Sequence, residues 1–209
     1  MAARRYDAVV FDLLTALIDS WTLWNQAAGS AEAGLRWRKR YLEITYGCGA
    51  YQPYEALVRE AAIESGVGAA AADKLSRRWD ELCPWPEAPE VLGEIGRAVP
   101  LGVATNCSQD KGLRAAARTG AVFAAVVTAE RAGFYKPRPE VYGAVLDQLG
   151  TAPPRTRFVA GSASDLPGAA AAGMPVYWHN RIGLAPASAV RPDFLEQRLE
   201  PLVDLVTDA

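Results

Sequence analysis

Tyr6-Asp7-Ala8-Val9-Val10-Phe11-Asp12-Leu13-Leu14-Thr15 sets an acid directly behind a short apolar run rich in β-branched residues. Tyr6–Phe11 reads as a central strand, which puts Asp12 at its carboxyl end. Two further segments repeat the arrangement. Thr105-Asn106 follows Leu101–Ala104, and Phe158-Val159-Ala160-Gly161-Ser162-Ala163-Ser164-Asp165 carries a strand into a polar turn. Lys136-Pro137-Arg138-Pro139 stands between them in the chain. The carboxyl edge of a parallel sheet is where open α/β folds gather ligands. An acid, a Thr-Asn pair, a lysine and a second acid therefore describe a site.

Outward from this stretch, the pattern from Asp19 becomes helical. Trp21, Trp24, Ala28, Leu35, Leu42 and Ile44 recur at helical spacing through residue 46, where Gly47-Cys48-Gly49 breaks the run. Pro53–Ser65 and Ala69–Leu82 read as two more amphipathic helices, and Cys83-Pro84-Trp85-Pro86 as a stiff connector. After it, helices (Glu87–Arg97, Gln109–Thr119, Pro139–Leu149, Asp165–Ala172) alternate with strands (Val99–Ala104, Val122–Val127, Arg157–Ala160, Pro175–Trp178). A short strand near Phe194 and a closing helix complete the expectation. Such alternation implies βαβ units on a parallel sheet. The expected architecture is a Rossmann-like α/β core of residues 1–17 and 86–209, with a helical cap, residues 18–85, inserted between its first two strands.

Composition narrows the class. The chain has 209 residues, enough for a core with an inserted subdomain, and a net charge of −2, which leaves no basic footprint for nucleic acid. No apolar stretch reaches the roughly 18 residues of a membrane span. Arg4-Arg5 leads straight into a strand, without the pattern of a secretory leader. The three cysteines, Cys48, Cys83 and Cys107, lack metal-ligand spacing. Together these features predict a cytoplasmic protein without disulfides, acting on a small molecule and without nucleic-acid or membrane partners. A homodimer through the aromatic cap helices is compatible with the sequence.

A carboxylate placed like Asp12, with no basic neighbour in the chain, can act as a nucleophile and form an ester or acyl phosphate. The order of the four segments resembles the haloacid dehalogenase-like superfamily, over essentially the whole chain. Two departures separate it from that superfamily's phosphatases. The general-acid aspartate two residues after the nucleophile is Leu14 here, and the first acid of the last motif, a Mg²⁺ ligand, is Gly161. An alkoxide leaves poorly without a general acid, whose help is worth about 10²–10⁴-fold. A halide needs neither proton nor metal.

The chain is therefore most similar to the L-2-haloacid dehalogenases, and the site residues follow from that resemblance. It implies Asp12 as nucleophile, Arg38 of Trp37-Arg38-Lys39 as the group assisting the halide, and Lys136 as the cation neutralising Asp12 and Asp165. Asp165 and Lys136 would aid the water that cleaves the ester. Thr105 and Asn106 would hold the substrate carboxylate, Tyr142 would donate a hydrogen bond nearby, and Thr15 and Ser162 would line the site. No cofactor or metal is implied. Where the family has Gly-Thr, this chain has Thr15-Ala16, so the hydroxyl comes one residue early and in a turn can aim away from Asp12. Gly161 and Ser162 replace a Ser and an Asn, and a small Gly161 leaves room for an extra water. His179, the single histidine, is expected at the surface or against the cap, Cys107 as a small apolar helix-start residue, and the cap aromatics mostly as core. The alternatives are a Mg²⁺-dependent phosphatase and a non-catalytic binding protein on the same scaffold.

Overall fold

The computed structural model of the protein describes residues 5–207. Its centre is a six-stranded, all-parallel sheet in the order β3-β2-β1-β4-β5-β6. The strands are β1 (Ala8–Phe11), β2 (Leu101–Thr105), β3 (Ala125–Thr128), β4 (Thr156–Ala160), β5 (Val176–His179) and β6 (Phe194–Glu196). Those nearest the centre are buried on both faces, as their unbroken apolar runs require. Alternate residues feed two cores: Val9, Phe11, Val103 and Val159 face one side, and Val10, Ala104, Phe158 and Ala160 the other.

Strand order reverses at β1, which lies between β2 and β4. Phe11 is in register with Val103 on one side and Val159 on the other. Asp12 thus leaves the sheet one step before Thr105, the last residue of β2, and Gly161, the first beyond β4, and the three motifs converge at a topological switch point.

Four α-helices occupy the chain between Ile18 and Pro84: α1 (Ser20–Ala28), α2 (Ala31–Gly47), α3 (Tyr54–Glu64) and α4 (Ala69–Arg77). Both ends of this stretch meet, because Ile18 forms an antiparallel bridge with Pro84. Asp19 N donates to Cys83 O at 2.9 Å, and Trp85 N to Leu17 O at 2.9 Å. The remaining helices are α5 (Ala88–Ala98), α6 (Gln109–Ala117), α7 (Ala129–Ala132), α8 (Pro139–Leu149), α9 (Leu166–Ala171) and α10 (Pro201–Thr207). None of the described helices is long and apolar enough to cross a membrane.

Several boundaries differ from the sequence reading. The helical run expected through residue 46 is two helices, because Gly29 takes a left-handed φ of 90° and Ser30 caps α2 by accepting from Ala33 N at 3.1 Å. The third strand begins at Ala125 rather than Val122, which is 90 % exposed beyond the last pairing with β2. The helix expected from Asp165 begins as a short 3-10 turn, Ala163–Asp165, and α7 was not anticipated. Trp24, Trp37, Tyr41 and Tyr54 are buried inside the helical layer, whereas Tyr46 stays 44 % exposed.

Candidate active site

The turn after β1 wraps its own carboxylate. Asp12 Oδ2 accepts from Thr15 Oγ1 at 2.7 Å, Thr15 N at 3.0 Å and Ala16 N at 3.3 Å. The early hydroxyl therefore points at Asp12 after all, which corrects the concern raised by its displacement in sequence. Trp85 Nε1 donates to the Thr15 carbonyl at 3.1 Å, and His179 Nδ1 lies 2.8 Å from the Ala16 carbonyl. His179 is thus a fully buried brace behind the nucleophile turn rather than a surface group. Burial lowers its proton affinity, so the ring is neutral at neutral pH.

Lys136 ties the two acids together. Its Nζ lies 2.8 Å from Asp12 Oδ1 and 3.0 Å from Asp165 Oδ1. Asn106 fixes the lysine by its backbone: Lys136 N donates to Asn106 Oδ1 at 2.7 Å, and Asn106 Nδ2 donates to Lys136 O at 3.1 Å. The Asn106 carboxamide thus positions the lysine, and Asn106 also lines the cavity over Asp12. Tyr142 does donate a hydrogen bond beside the site. It is buried away from the cavity, and its hydroxyl donates to the Asp165 carbonyl at 3.3 Å.

The two carboxyls are driven apart in proton affinity. Burial pushes Asp12 up, but the Lys136 charge, its hydrogen bond and those of Thr15 outweigh this and leave Asp12 below its ordinary value. Burial dominates at Asp165, opposed by Lys136 and reinforced by the Asp12 charge, and lifts it to about 6. The same two acids hold Lys136 charged against its own burial.

A cavity of about 80 Å³ opens over Asp12, with room for roughly half a dozen water-sized groups at about 10–15 Å³ each. The strand-end loops contribute Asp12, Thr15, Thr105, Lys136, Ser162 and Asp165 to its lining. From α1, α2 and α3 come Trp21, Trp24, Arg38, Tyr41, Leu42 and Tyr54. Arg38 has no ion pair among the described residues; its guanidinium lies 4.1 Å above the Trp21 ring and 4.6 Å above the Trp24 ring. Arg38 Nη2 donates to Ser20 Oγ at 2.8 Å, and Ser20 in turn donates to the Leu14 carbonyl, linking the arginine to the nucleophile turn. Burial lowers Arg38 to about 10, so it stays charged at neutral pH. Ser20 and Ser164 were missed in the sequence. Ser164 shares a 2.6 Å hydrogen bond with Ser162, two residues away in the same turn, and this spacing was the available signal. Cys107 is buried, with its thiol pushed up to about 12 by burial, and is a packing residue.

The pattern of the haloacid dehalogenase-like hydrolases matches residues 6–173. The chain belongs to that family. It is 30 % identical to the (S)-2-haloacid dehalogenase 4A of Burkholderia cepacia, covering 95 % of this chain and 92 % of that one. The crystal structure of a dehalogenase with an intermediate complex superposes with a TM-score of 0.86 at 26 % identity, over 99 % of this chain and 100 % of the other. The L-2-haloacid dehalogenase RSc1362 superposes with a TM-score of 0.85 at 25 % identity, over 96 % and 98 % of the two chains.

Within the haloacid dehalogenase-like hydrolases, the phosphatase branch uses Mg²⁺, and the residues here do not fit that ion. A hard octahedral cation needs oxygen ligands. The Lys136 ammonium stands between Asp12 and Asp165, and neither Leu14 nor Gly161 supplies a side-chain oxygen. Among the described residues no group of three or more His, Cys, Asp or Glu side chains is placed to hold a metal.

Gly161 is explained by its neighbours. A Cβ there would collide with the Thr15 carbonyl carbon, the Ala16 nitrogen and the Thr15 hydroxyl. The space expected to admit a water is therefore filled by the nucleophile turn, which corrects that expectation. Gly161→Ala forces the turn away from Asp12. Overpacking of this kind costs about 1–3 kcal/mol, and in a chain of this size each lost kcal/mol lowers Tm by about 2–4 °C. Calorimetry alongside an activity assay checks this, with turnover expected to fall more steeply than stability. An unchanged Tm and rate would mean the turn relaxes freely.

Proposed function

We propose that the protein hydrolyses the carbon–halogen bond of short 2-haloacids through an ester on Asp12. The observation that carries this reading is the division of labour between two carboxyls around one lysine. Asp12 is held ionised, as a nucleophile must be, and Asp165 is lifted towards neutral pH, where a general base works best. The names of the relatives support the substrate class, and the small cavity suits acids of two or three carbons.

In the first step an Asp12 oxygen forms a bond to the halogen-bearing carbon, and the carbon–halogen bond breaks with its electron pair on the halide. The halide departs towards Arg38, while the hydroxyls of Thr105 and Ser162 lie in the lining for the substrate carboxylate. In the second step water attacks the ester carbonyl of Asp12 and gives a proton to Asp165. Asp165 returns that proton to the departing oxygen as its bond to the Asp12 carbonyl breaks, and the 2-hydroxy acid leaves. The new Asp12 carboxyl releases its own proton to solvent, restoring the carboxylate. Asp165 lines the cavity beside Asp12, as a base for water requires.

The test is halide release from chloro- and bromoacetate and from both 2-chloropropionate enantiomers, with EDTA present. EDTA-resistant release that disappears in Asp12→Asn supports the proposal. No release by folded protein overturns it.

A pH dependence follows. Ester hydrolysis needs ionised Asp165, so kcat falls as pH drops through the Asp165 pKa. In free enzyme that pKa is about 6, partly because Asp12 is charged. Esterification removes the Asp12 charge, so the acid limb of kcat is expected below about 6. In Asp165→Asn the first step survives, giving a burst of one halide per site followed by slow turnover. A quenched-flow experiment without a burst would place Asp165 in the first step instead.

A further inference from the structure

Three residues that line the helical wall of the cavity each carry a buried polar atom with no hydrogen-bond partner among the described residues: the Trp24 indole N–H, the Arg38 Nε–H and the Tyr54 hydroxyl. These residues are only 2 %, 9 % and 2 % exposed. A buried donor left unmatched costs about 1–3 kcal/mol, and folded proteins keep few such groups. Three around one cavity point to a ligand that answers them.

Ring packing holds these groups in place. The Trp24 ring lies 4.4 Å from that of Trp37, Tyr54 meets Tyr41 edge-on at 5.7 Å, and Arg38 sits over Trp24. The aromatic cluster thus fixes these side chains while leaving their polar atoms unmatched. The indole and the guanidinium can only donate. Burial raises the Tyr54 hydroxyl well above its ordinary value, so it too stays protonated. Donors gathered beside a buried cation recognise an anion. In an in-line displacement the leaving group lies opposite the nucleophile. Asp12 comes from the strand edge, whereas these donors come from α1, α2 and α3.

Resting on the dehalogenase reading, we propose that Tyr54 and Trp24 join Arg38 as donors to the departing halide and that this set extends the reaction to carbon–fluorine bonds. The Asp12 oxygen–carbon bond forms, the carbon–fluorine bond breaks with its electron pair on fluorine, and fluoride accepts from the three donors. Fluoride is the poorest leaving group of the halides and their strongest hydrogen-bond acceptor. It gains most from hydrogen bonds that tighten as charge develops.

The experiment compares kcat and KM for fluoro-, chloro- and bromoacetate in wild type and Tyr54→Phe, with a thermal melt of each. Wild type is expected to release fluoride. Tyr54→Phe is expected to lower kcat on fluoroacetate about tenfold or more, on chloroacetate less, and on bromoacetate least, with KM little changed. Its Tm is expected to hold or rise, because an unmatched hydroxyl has left the interior. Ratios among the substrates do not depend on the folded fraction, so Trp24→Phe is read in the same way. Equal losses on all three acids, a shared rise in KM, or no change would overturn the donor assignment. Wild type that releases chloride and bromide but no fluoride would overturn the fluoride extension and leave the dehalogenase reading standing. Absence of every halide would sink the dehalogenase reading itself, and this inference with it.

Discussion

Asp12→Asn is expected to abolish turnover, by at least about 10⁴-fold, the scale seen when a covalent nucleophile is removed. The substitution is close to isosteric, so Thr15 and Ala16 still have an oxygen to donate to, and Lys136 retains Asp165 as a partner. What is lost is the charge that attacks carbon. The variant should melt near wild type and yet release no halide, even in a single turnover. An isotope experiment sharpens the point. A single turnover of wild type in ¹⁸O-water should put the label into the Asp12 carboxylate, and the hydroxy acid should acquire it only in later cycles. Activity retained within tenfold of wild type, or label appearing first in the product, would mean that water attacks the substrate carbon directly with Asp165 as its base.

Lys136→Met carries the second large effect, on stability as well as rate. The lysine is the only cation paired with Asp12 and Asp165 among the described residues, and all three are buried. Removing one partner of a buried ion pair costs about 3–5 kcal/mol, because a charge is left uncompensated. Here two carboxylates would face one another. In wild type Asp12 has a depressed pKa, so its ionisation contributes stability that is present above the unfolded value of 3.8 and is lost as pH falls through the folded one. Without the lysine that contribution disappears, and burial pushes both acids up. The deficit of the variant is therefore greatest at neutral pH and shrinks as acid protonates one carboxyl. Denaturant titrations at pH 7 and pH 4.5 measure this. A deficit that does not shrink in acid would show that the lysine acts through packing. Rate should fall by about 10³-fold or more, since Asp12 would no longer be held ionised.

The parts legible in the sequence are those whose physics is local. β1, β2, β4 and β5 announce themselves as apolar runs because both faces of each are buried, and a polar residue ending such a run has to lie at the sheet edge. Asp12, Thr105 and Asp165 were placed on that ground, and Lys136 by resemblance of its motif. The break at Gly29-Ser30 carried its own signal, a left-handed residue followed by a capping serine, but the aromatic periodicity ran across it. The positioning contacts of Asn106 and Tyr142 were not legible because their partners, the Lys136 backbone and the Asp165 carbonyl, lie 30 and 23 residues away in the chain. Nothing local distinguishes an asparagine that holds a ligand from one that holds a backbone. The unmatched donors were hidden for a related reason. Trp24 and Tyr54 fit a helical core pattern, and only the packed structure reveals that their polar atoms find no partner.

The contact between Gly161 and the Thr15-Ala16 turn also constrains how such a sequence can change over time. A glycine at 161 accommodates this turn, whereas any larger residue collides with it. With a larger residue at 161, the present turn cannot form without a clash by changes in the turn alone. The glycine had to come first or together with it. Replacing Gly161 by itself now passes through a clash, whereas the turn can change while the glycine stays, so the constraint runs one way, from the turn to the glycine.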